Sequence, residues 1–176
     1  TGTVSSPVQI GSRTDWAQVS SLRDHTIGRT TAGKAYAWGY NYFGALGLGD
    51  TVTRNSPVQI GALTDWADVA AGTRSGFGVK TGGTLWSWGD NNDGCLGLGD
   101  VTDRSSPVQV GTLTDWYRVY SRRYLTAARK TDGSLWMWGN GANGRLADGT
   151  TVDKSSPVQV GSDTNWVKVA ITGGGS

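Results

Sequence analysis

Few residues of this chain have the types and spacing that catalysis requires. The single histidine, His25, follows Asp24, and a paired His and Asp form the base of many hydrolases. No Ser/His/Asp set can be assembled around this pair, and glutamate, the usual partner of aspartate in acid–base pairs, is absent. We therefore expect that His25 is not catalytic and that the chain is not an enzyme.

The candidates for metal and redox chemistry are also incomplete. The run Asp-Asn-Asn-Asp-Gly at 90–94 is similar to a calcium loop, but its glycine comes one residue early and the distal glutamate is missing. Cys95 is the only cysteine, so the chain has no internal disulfide and no zinc-ligand spacing. No glycine-rich loop precedes a helix to hold a phosphate. The sequence predicts no metal and no cofactor.

The arginines point to binding instead. The net charge is only +2, so the chain as a whole is not a polycation. Nevertheless, six of its arginines lie within or just after short segments that follow a first strand: Arg23, Arg29, Arg74, Arg122, Arg123 and Arg129. Asp24 is the only acid in these segments. A basic rim of this kind attracts acidic partners or nucleic acid, and Arg with Tyr is common at interface hot spots.

A repeat of 50 residues determines where these side chains lie. Ser-Pro-Val-Gln occurs at 6–9, 56–59, 106–109 and 156–159, and Trp recurs at 16, 66, 116 and 166. In the second copy, 67–70, 76–80, 84–88 and 107–110 are predicted strands, since these short apolar runs end in turn residues. Four short antiparallel strands per repeat are typical of a β-propeller blade, so we predict an all-β fold.

The motif Trp-Gly-x-Asn-x-x-Gly-x-Leu-Gly occurs at 38–47 and 88–97, with a looser copy at 138–147. Together with the Ser-Pro-Val-Gln and Trp-x-x-Val strands, it resembles the regulator of chromosome condensation repeat in its bacterial-type form. The resemblance implies a propeller, which in that family usually has seven blades. It also implies a mostly structural role for the His-Thr pair at 25–26.

On this basis residues 1–176 are one repeat array. Three blades are predicted at 16–60, 66–110 and 116–160. The flanking segments are an outer strand of a preceding blade (6–10), an inner strand of a following blade (166–170) and a linker (172–176). Three blades leave two open faces, so we expect either a homo-oligomer that closes a ring or a fragment of a larger propeller.

The three copies differ mainly in two connections. The segments 20–25, 70–75 and 120–125 share almost nothing, and neither do 40–43, 90–93 and 140–143. The second hairpin and the link between repeats are nearly uniform. In a four-stranded antiparallel blade the first and third connections lie on one face of the disc, so all the divergent segments should share a face. Tolerance of loops to change, and turn chemistry that fixes the uniform loops, are the structural alternatives.

The leading hypothesis is therefore a non-catalytic scaffold that presents this divergent, Arg- and Tyr-rich face to a partner. A protein partner is preferred, and the arginines would suit an acidic one. Nucleic acid is a weaker alternative, and no membrane insertion is expected. The predicted partner-binding residues are Arg23, Asp24, His25, Tyr42, Phe43, Arg74, Tyr120, Arg122, Arg123, Tyr124 and Arg145. The other hypotheses are self-assembly into a closed propeller and, from the family resemblance, guanine nucleotide exchange.

Arg29 and Arg129 are unusual, because both align with the apolar Val79. A buried unpaired charge is costly, so each guanidinium is expected to meet a carboxylate, backbone carbonyls or solvent.

Overall fold

The computed structural model describes residues 6–171, which form twelve strands in three four-stranded antiparallel sheets. Blade 1 contains β1 (Trp16–Leu22), β2 (His25–Thr30), β3 (Ala35–Gly39) and β4 (Arg54–Gln59). Blade 2 contains β5 (Trp66–Ala71), β6 (Ser75–Lys80), β7 (Leu85–Gly89) and β8 (Arg104–Gln109). Blade 3 contains β9 (Trp116–Arg122), β10 (Leu125–Lys130), β11 (Leu135–Gly139) and β12 (Lys154–Gln159), with one 3₁₀ turn at Ala142–Gly144.

The predicted all-β fold of propeller blades is confirmed, and each sheet follows the order of the chain. The fourth strand begins earlier than predicted. In blade 2 it starts at Arg104 rather than Pro107, because Arg104 pairs with Gly89 beyond a register shift in β7. Apolar periodicity gave no sign of this extension, since 104–106 are polar.

The hydrophobic core lies between the blades. One cluster joins Ile27, Leu46 and Ile60 of blade 1 to Trp66 and Trp88 of blade 2. A second cluster repeats the arrangement one blade later, where Phe77, Leu85 and Leu96 meet Trp116 and Trp138. Blades 1 and 2 therefore each bury their forward face against the tryptophan-bearing back face of the next blade.

The terminal segments of the described chain pair with no strand. Residues 6–10 form no strand, and Val8 and Ile10 are exposed. Residues 166–170 also form no strand, although the amide of Trp166 lies 3.3 Å from the Gly133 carbonyl, as the Trp116 amide lies 3.0 Å from that of Gly83. Their assignment to adjacent blades stays a prediction, and the predicted linker at 172–176 lies outside the described residues.

A buried asparagine shapes the long third connection of blades 1 and 2. Asn91 is fully buried, and its Nδ2 donates to the carbonyl oxygens of Asp100 (2.9 Å) and Thr102 (3.2 Å). Its Oδ1 accepts from the Leu96 amide at 2.9 Å. Asn41 makes the same contacts in blade 1, whereas blade 3 has Gly141 at this position. One amide side chain thus ties together both ends of a loop.

Asn91→Ala is expected to lower the free energy of unfolding by about 3 kcal/mol, since it removes a fully buried side chain and leaves the buried Leu96 amide without its acceptor and the Asp100 carbonyl without this donor. Asn92→Ala is the matched control, because Asn92 is exposed and next in sequence. Urea denaturation followed by circular dichroism measures both. Equal effects of the two substitutions would contradict the anchoring role.

Candidate binding surface

The connections of each blade are divided between two opposite faces. The first and third connections meet, as shown by hydrogen bonds from the Tyr40 amide to the Asp24 carbonyl (2.8 Å) and from the Asp90 amide to the Arg74 carbonyl (3.0 Å). The variable face comprises these connections: 23–24, 40–53, 72–74, 90–103, 123–124 and 140–153. The structure therefore places the divergent segments 20–25 and 40–45 on the same side of the molecule.

The opposite, uniform face is held together by backbone contacts. The amide of Trp66 donates to the Gly33 carbonyl of the preceding hairpin, and the amide of Thr81 donates to the Asp65 carbonyl at 2.7 Å. A Cβ on Gly83 would lie 1.9 Å from the Thr114 carbonyl oxygen. Packing between successive blades thus accounts for the uniformity of these loops, whereas the structural alternative in the sequence analysis was turn chemistry within each loop.

Exposed aromatic rings form the most distinctive part of the variable face. Tyr40 and Tyr42 are 49% and 65% exposed, and their rings stack with centroids 6.1 Å apart and planes at 12°. Tyr42 also meets Phe43 edge-on at 5.0 Å. From blade 2, the Arg74 guanidinium lies 4.6 Å from the Phe43 ring centroid. We call Tyr40, Tyr42, Phe43 and Arg74 the aromatic patch.

Tyr40 was missed in the sequence analysis. It directly follows the Trp38-Gly39 pair and aligns with Asp90 and Asn140, so its divergence could have identified it. Residues 40–42 lie beyond the end of β3 and lead into a turn, so strand alternation does not predict how their side chains are arranged. The structure shows that the rings of Tyr40 and Tyr42 stack.

His25, a predicted partner-binding residue, lies beneath the surface and is only 3% exposed. Its Nε2 is 3.2 Å from the Ser75 carbonyl oxygen of blade 2. Burial lowers the pKa of His25 to about 4, although the Ser75 carbonyl and the nearby Asp24 oppose this shift. A neutral imidazole that joins two blades fits the structural role implied by the family resemblance.

The buried histidine gives an expected pH dependence. Because its pKa falls from about 6.5 in the unfolded chain to about 4 in the folded one, its contribution is complete above pH 6.5 and is lost as the pH falls toward 4. The loss amounts to about 3 kcal/mol. In His25→Leu, which copies Leu125 of blade 3, this part of the pH dependence should disappear. Unfolding of both proteins at pH 7 and pH 4 measures the difference.

Asp68 and Asp90 act in the opposite direction, because burial raises the pKa of each carboxyl. They are common to wild type and variant, so only the difference between the two proteins reports on His25. An identical pH profile for the two proteins would contradict the assignment.

On blade 3 the variable face is basic. Arg122 and Arg123 are exposed, and neither forms an ion pair within residues 6–171. Tyr120 and Tyr124 are half-buried behind them. Arg145 is exposed, and its Nε donates to the Ala142 carbonyl at 2.8 Å.

Arg23 and Asp24, at the corresponding turn of blade 1, are both about half exposed and form an ion pair at 3.1 Å. Arg23 and Arg123 have φ values of 60° and 53°, so the first connections of blades 1 and 3 make the same tight turn. Eight of the eleven predicted residues thus lie in the connections of this face. Arg122 is the last residue of β9, Tyr120 lies within β9, and His25 begins β2 below the surface.

The basic rim is smaller than predicted. Arg29 and Arg129 lie near the ends of β2 and β10 that adjoin the uniform face. Arg129 donates to the carbonyl oxygens of Trp166 and Val167 and lies over the Tyr117 ring at 4.6 Å. Backbone carbonyls therefore receive this guanidinium, which was one of the expected outcomes.

Aspartates of the third connections share the variable face with the remaining arginines. Asp50 pairs with Arg54 and Asp100 with Arg104, each at 2.6 Å, and Asp148 pairs with Lys154 at 3.3 Å. Asp90 is buried beneath Arg74 at 3.7 Å. The sequence analysis counted acids only in the first connections, so it overestimated the positive charge of this face.

A cleft of about 440 Å³ runs between the first strands of the three blades. Asp68 crosses it, accepting from Gln18 Nε2 (2.9 Å) on one side and from the Val119 amide (3.0 Å) on the other. Its carboxylate thus joins blade 2 to both neighbours.

Cys95 is 1% exposed, its Sγ donates to the Asp90 carbonyl, and burial raises the pKa of the thiol to about 12. It is a packed side chain rather than a nucleophile. In the described part of the chain no three His, Cys, Asp or Glu side chains are grouped so that they could hold a metal ion. No helix between residues 6 and 171 is long and apolar enough to cross a membrane.

Comparison with known families agrees with this architecture. The family described as "Regulator of chromosome condensation (RCC1) repeat" matches residues 32–79, 82–122 and 132–176, and a second form of the same repeat matches 16–45 and 66–95. This chain belongs to the RCC1 repeat family. The predicted family is therefore confirmed.

Solved structures of RCC1-type proteins show the same fold. Prp20p of Saccharomyces cerevisiae superposes with a TM-score of 0.73 at 20% identity, over 84% of this chain and 39% of that one. Human WBSCR16 gives 0.68 at 24% identity, over 82% and 39%. The RCC1-type array described here thus spans about two-fifths of the length of these proteins. No curated protein sequence matches it significantly.

Proposed function

We propose that this chain is a non-catalytic binding scaffold that holds a protein partner on its variable face, with the aromatic patch at the centre of the contact. The observation that carries the proposal is the pair of exposed, stacked tyrosines, Tyr40 and Tyr42. Tyrosine supplies a large, rigid contact area at low cost in conformational entropy, which is why it is enriched at binding hot spots.

The aromatic patch is held in place before a partner arrives. Phe43 supports Tyr42 from the side and is itself covered by Arg74 of the next blade. Arg74 is in turn 3.7 Å from the buried carboxylate of Asp90. Because these contacts cross from one blade to the next, the rigid framework orders the rings, and less entropy is lost on binding.

The patch occurs once in the array. Its counterparts in blade 2 are Asp90-Asn91-Asn92-Asp93, and those in blade 3 are Asn140-Gly141-Ala142-Asn143. Because the surface differs from blade to blade, the array offers one distinct binding site rather than three identical ones. Arg122, Arg123 and Arg145, on the same face of blade 3, would suit carboxylates of the partner.

The solved relatives support protein binding as the class of function. The Prp20p structure is described together with the binding properties of that protein to Gsp1p and histones, and a further structure has Kap60 bound to the same yeast protein. Guanine nucleotide exchange rests on the family resemblance alone. Nucleic-acid binding is less favoured, because Asp50, Asp100 and Asp148 lie on the same face as the arginines.

Selection of peptides from a displayed random library by the intact chain tests the proposal. Peptides that bind the wild type should lose about tenfold or more in affinity for Tyr42→Ser, as expected for a hot-spot residue. Leu63→Ser, which replaces a 53% exposed side chain on the uniform face, should change affinity less than about twofold.

A selection that yields no binder, or binders indifferent to Tyr42→Ser, would contradict the proposal. Binding of duplex DNA that weakens steeply with salt and does not depend on Tyr42 would favour the nucleic-acid alternative.

A further inference from the structure

The back face of blade 1 is exposed at positions that are buried in the other blades. Val19 is 55% exposed, whereas its counterparts Val69 and Val119 are 1% and 3% exposed. Trp38 is half-buried, whereas Trp88 and Trp138 are fully buried. In blades 2 and 3 the forward face of the preceding blade covers this back face.

Blade 1 carries the same contact residues on this face as blade 3. The back face of blade 3 presents Trp116, Val119, Thr126 and Trp138, and that of blade 1 presents Trp16, Val19, Thr26 and Trp38. Trp138 Nε1 and Thr126 Oγ1 both donate to the Cys95 carbonyl, at 2.8 and 2.9 Å. Trp38 has the same indole group and no acceptor within residues 6–171.

The forward face of blade 3 offers the complementary half. Leu135, Leu146 and Val160 stand there at the positions of Leu85, Leu96 and Val110 in blade 2. In the single chain Leu135 and Leu146 are already buried, at 4% and 1% exposed, and Val160 is half-buried. The segment 166–171 lies beside β9 but forms no strand, and Val167 is 83% exposed. Its Trp166-x-x-Val169 pattern repeats the Trp16-x-x-Val19 pattern of β1.

We propose that blade 1 of one copy docks on blade 3 of a second copy, head to tail, as blade 3 docks on blade 2 within the chain. In this contact β1 of the second copy takes the place of residues 166–171. Two copies joined at both ends supply six blades, a number within the range of known propellers. Such a heterologous contact closes into a ring when the rotation per copy fits.

A charge pair specific to this junction supports a second copy as the occupant. At the junction of blades 1 and 2, Ala45 lies beside Thr73 and Arg74. Two junctions further, at the proposed contact with the second copy, the equivalent of Ala45 is Arg145, and the equivalents of Thr73 and Arg74 are Arg23 and Asp24 of that copy. Arg145 has no acidic partner within residues 6–171, and Asp24 of the second copy, which also pairs with Arg23 of its own chain, supplies one.

Sedimentation equilibrium over a range of concentrations tests the docking, with the full chain. The wild type should self-associate, and Val19→Asp should weaken association by about a hundredfold or more, because it places a charge in an apolar contact. Val52→Asp makes the same change at a 60% exposed valine of the variable face and should leave association unchanged.

Charge reversal tests the direction of the contact. Arg145→Asp and Asp24→Arg should each weaken association by about tenfold, because each places like charges together. An equimolar mixture of the two variants should restore it, since only a head-to-tail contact pairs position 145 of one copy with position 24 of the other.

A chain that is monomeric at all concentrations would overturn the proposal, as would association that is insensitive to Val19→Asp. Association that depends on Val19 but is not restored in the mixture would equally overturn the head-to-tail arrangement. The proposed function is distinguished from these results by Tyr42→Ser, which is read out by peptide binding and changes none of the contact residues Val19, Asp24 and Arg145.

Discussion

Replacement of Trp88 by alanine is expected to lower the free energy of unfolding by about 4 kcal/mol. The indole is fully buried between blades 1 and 2, where it packs in the cluster that contains Leu46 and Ile60. Its Nε1 donates to the Ala45 carbonyl at 2.9 Å. The substitution therefore removes apolar contacts, creates a cavity and leaves a buried carbonyl without its donor.

Trp38→Ala provides the matched control, because Trp38 occupies the same position in blade 1 but no blade precedes it within the chain. Its loss should be about 1–2 kcal/mol, in proportion to its smaller burial. Both values should come from urea denaturation at concentrations at which the chain is monomeric. Equal losses would show that the core does not lie mainly between blades.

The second large effect is expected for Gly83→Ala, at about 3 kcal/mol. Gly83 has φ +76°, where an alanine is strained, and a Cβ there would lie 1.9 Å from the Thr114 carbonyl oxygen. That carbonyl belongs to the link that leads into blade 3, so relief of the clash must separate two blades.

Gly82→Ala is the control for this substitution. Nothing lies within 4 Å of a Cβ at Gly82, and the corresponding residues in the other blades are Ala32 and Asp132. Its effect on the free energy of unfolding should stay within about 0.5 kcal/mol, because an alanine there meets no neighbour and restricts the unfolded chain. Thermal unfolding followed by circular dichroism compares the two variants, and similar losses would contradict the role of the close contact.

The fold could be predicted from the sequence because the three copies of the repeat align with one another without gaps. Turn residues such as Gly83 and Gly133 recur in register, and the alternating tryptophans define one face of each third strand. The strands predicted for the two terminal segments are not formed in the structure. Residues 6–10 and 166–170 have strand-like patterns but form no strand, because backbone hydrogen bonds need a partner that the pattern alone does not supply.

The position of the candidate site was predictable in outline, since antiparallel order alone sends the first and third connections to one face. Burial and local charge were not. His25 belongs to a divergent segment, yet it faces the neighbouring blade. The aspartates that neutralise Arg54 and Arg104 are four residues away in sequence, but their position on the variable face depends on how the long loops fold back.

The contacts between uniform loops have an implication for how such arrays change in length. The bonds from Trp66 to Gly33 and from Trp116 to Gly83 run only between adjacent repeats, and the same residues recur at every step. Tandem duplication of a whole unit would thus extend the array without breaking any existing bond. Each additional repeat would form the same backbone hydrogen bonds with its neighbours. Its first and third connections could then change in sequence and bind a different partner.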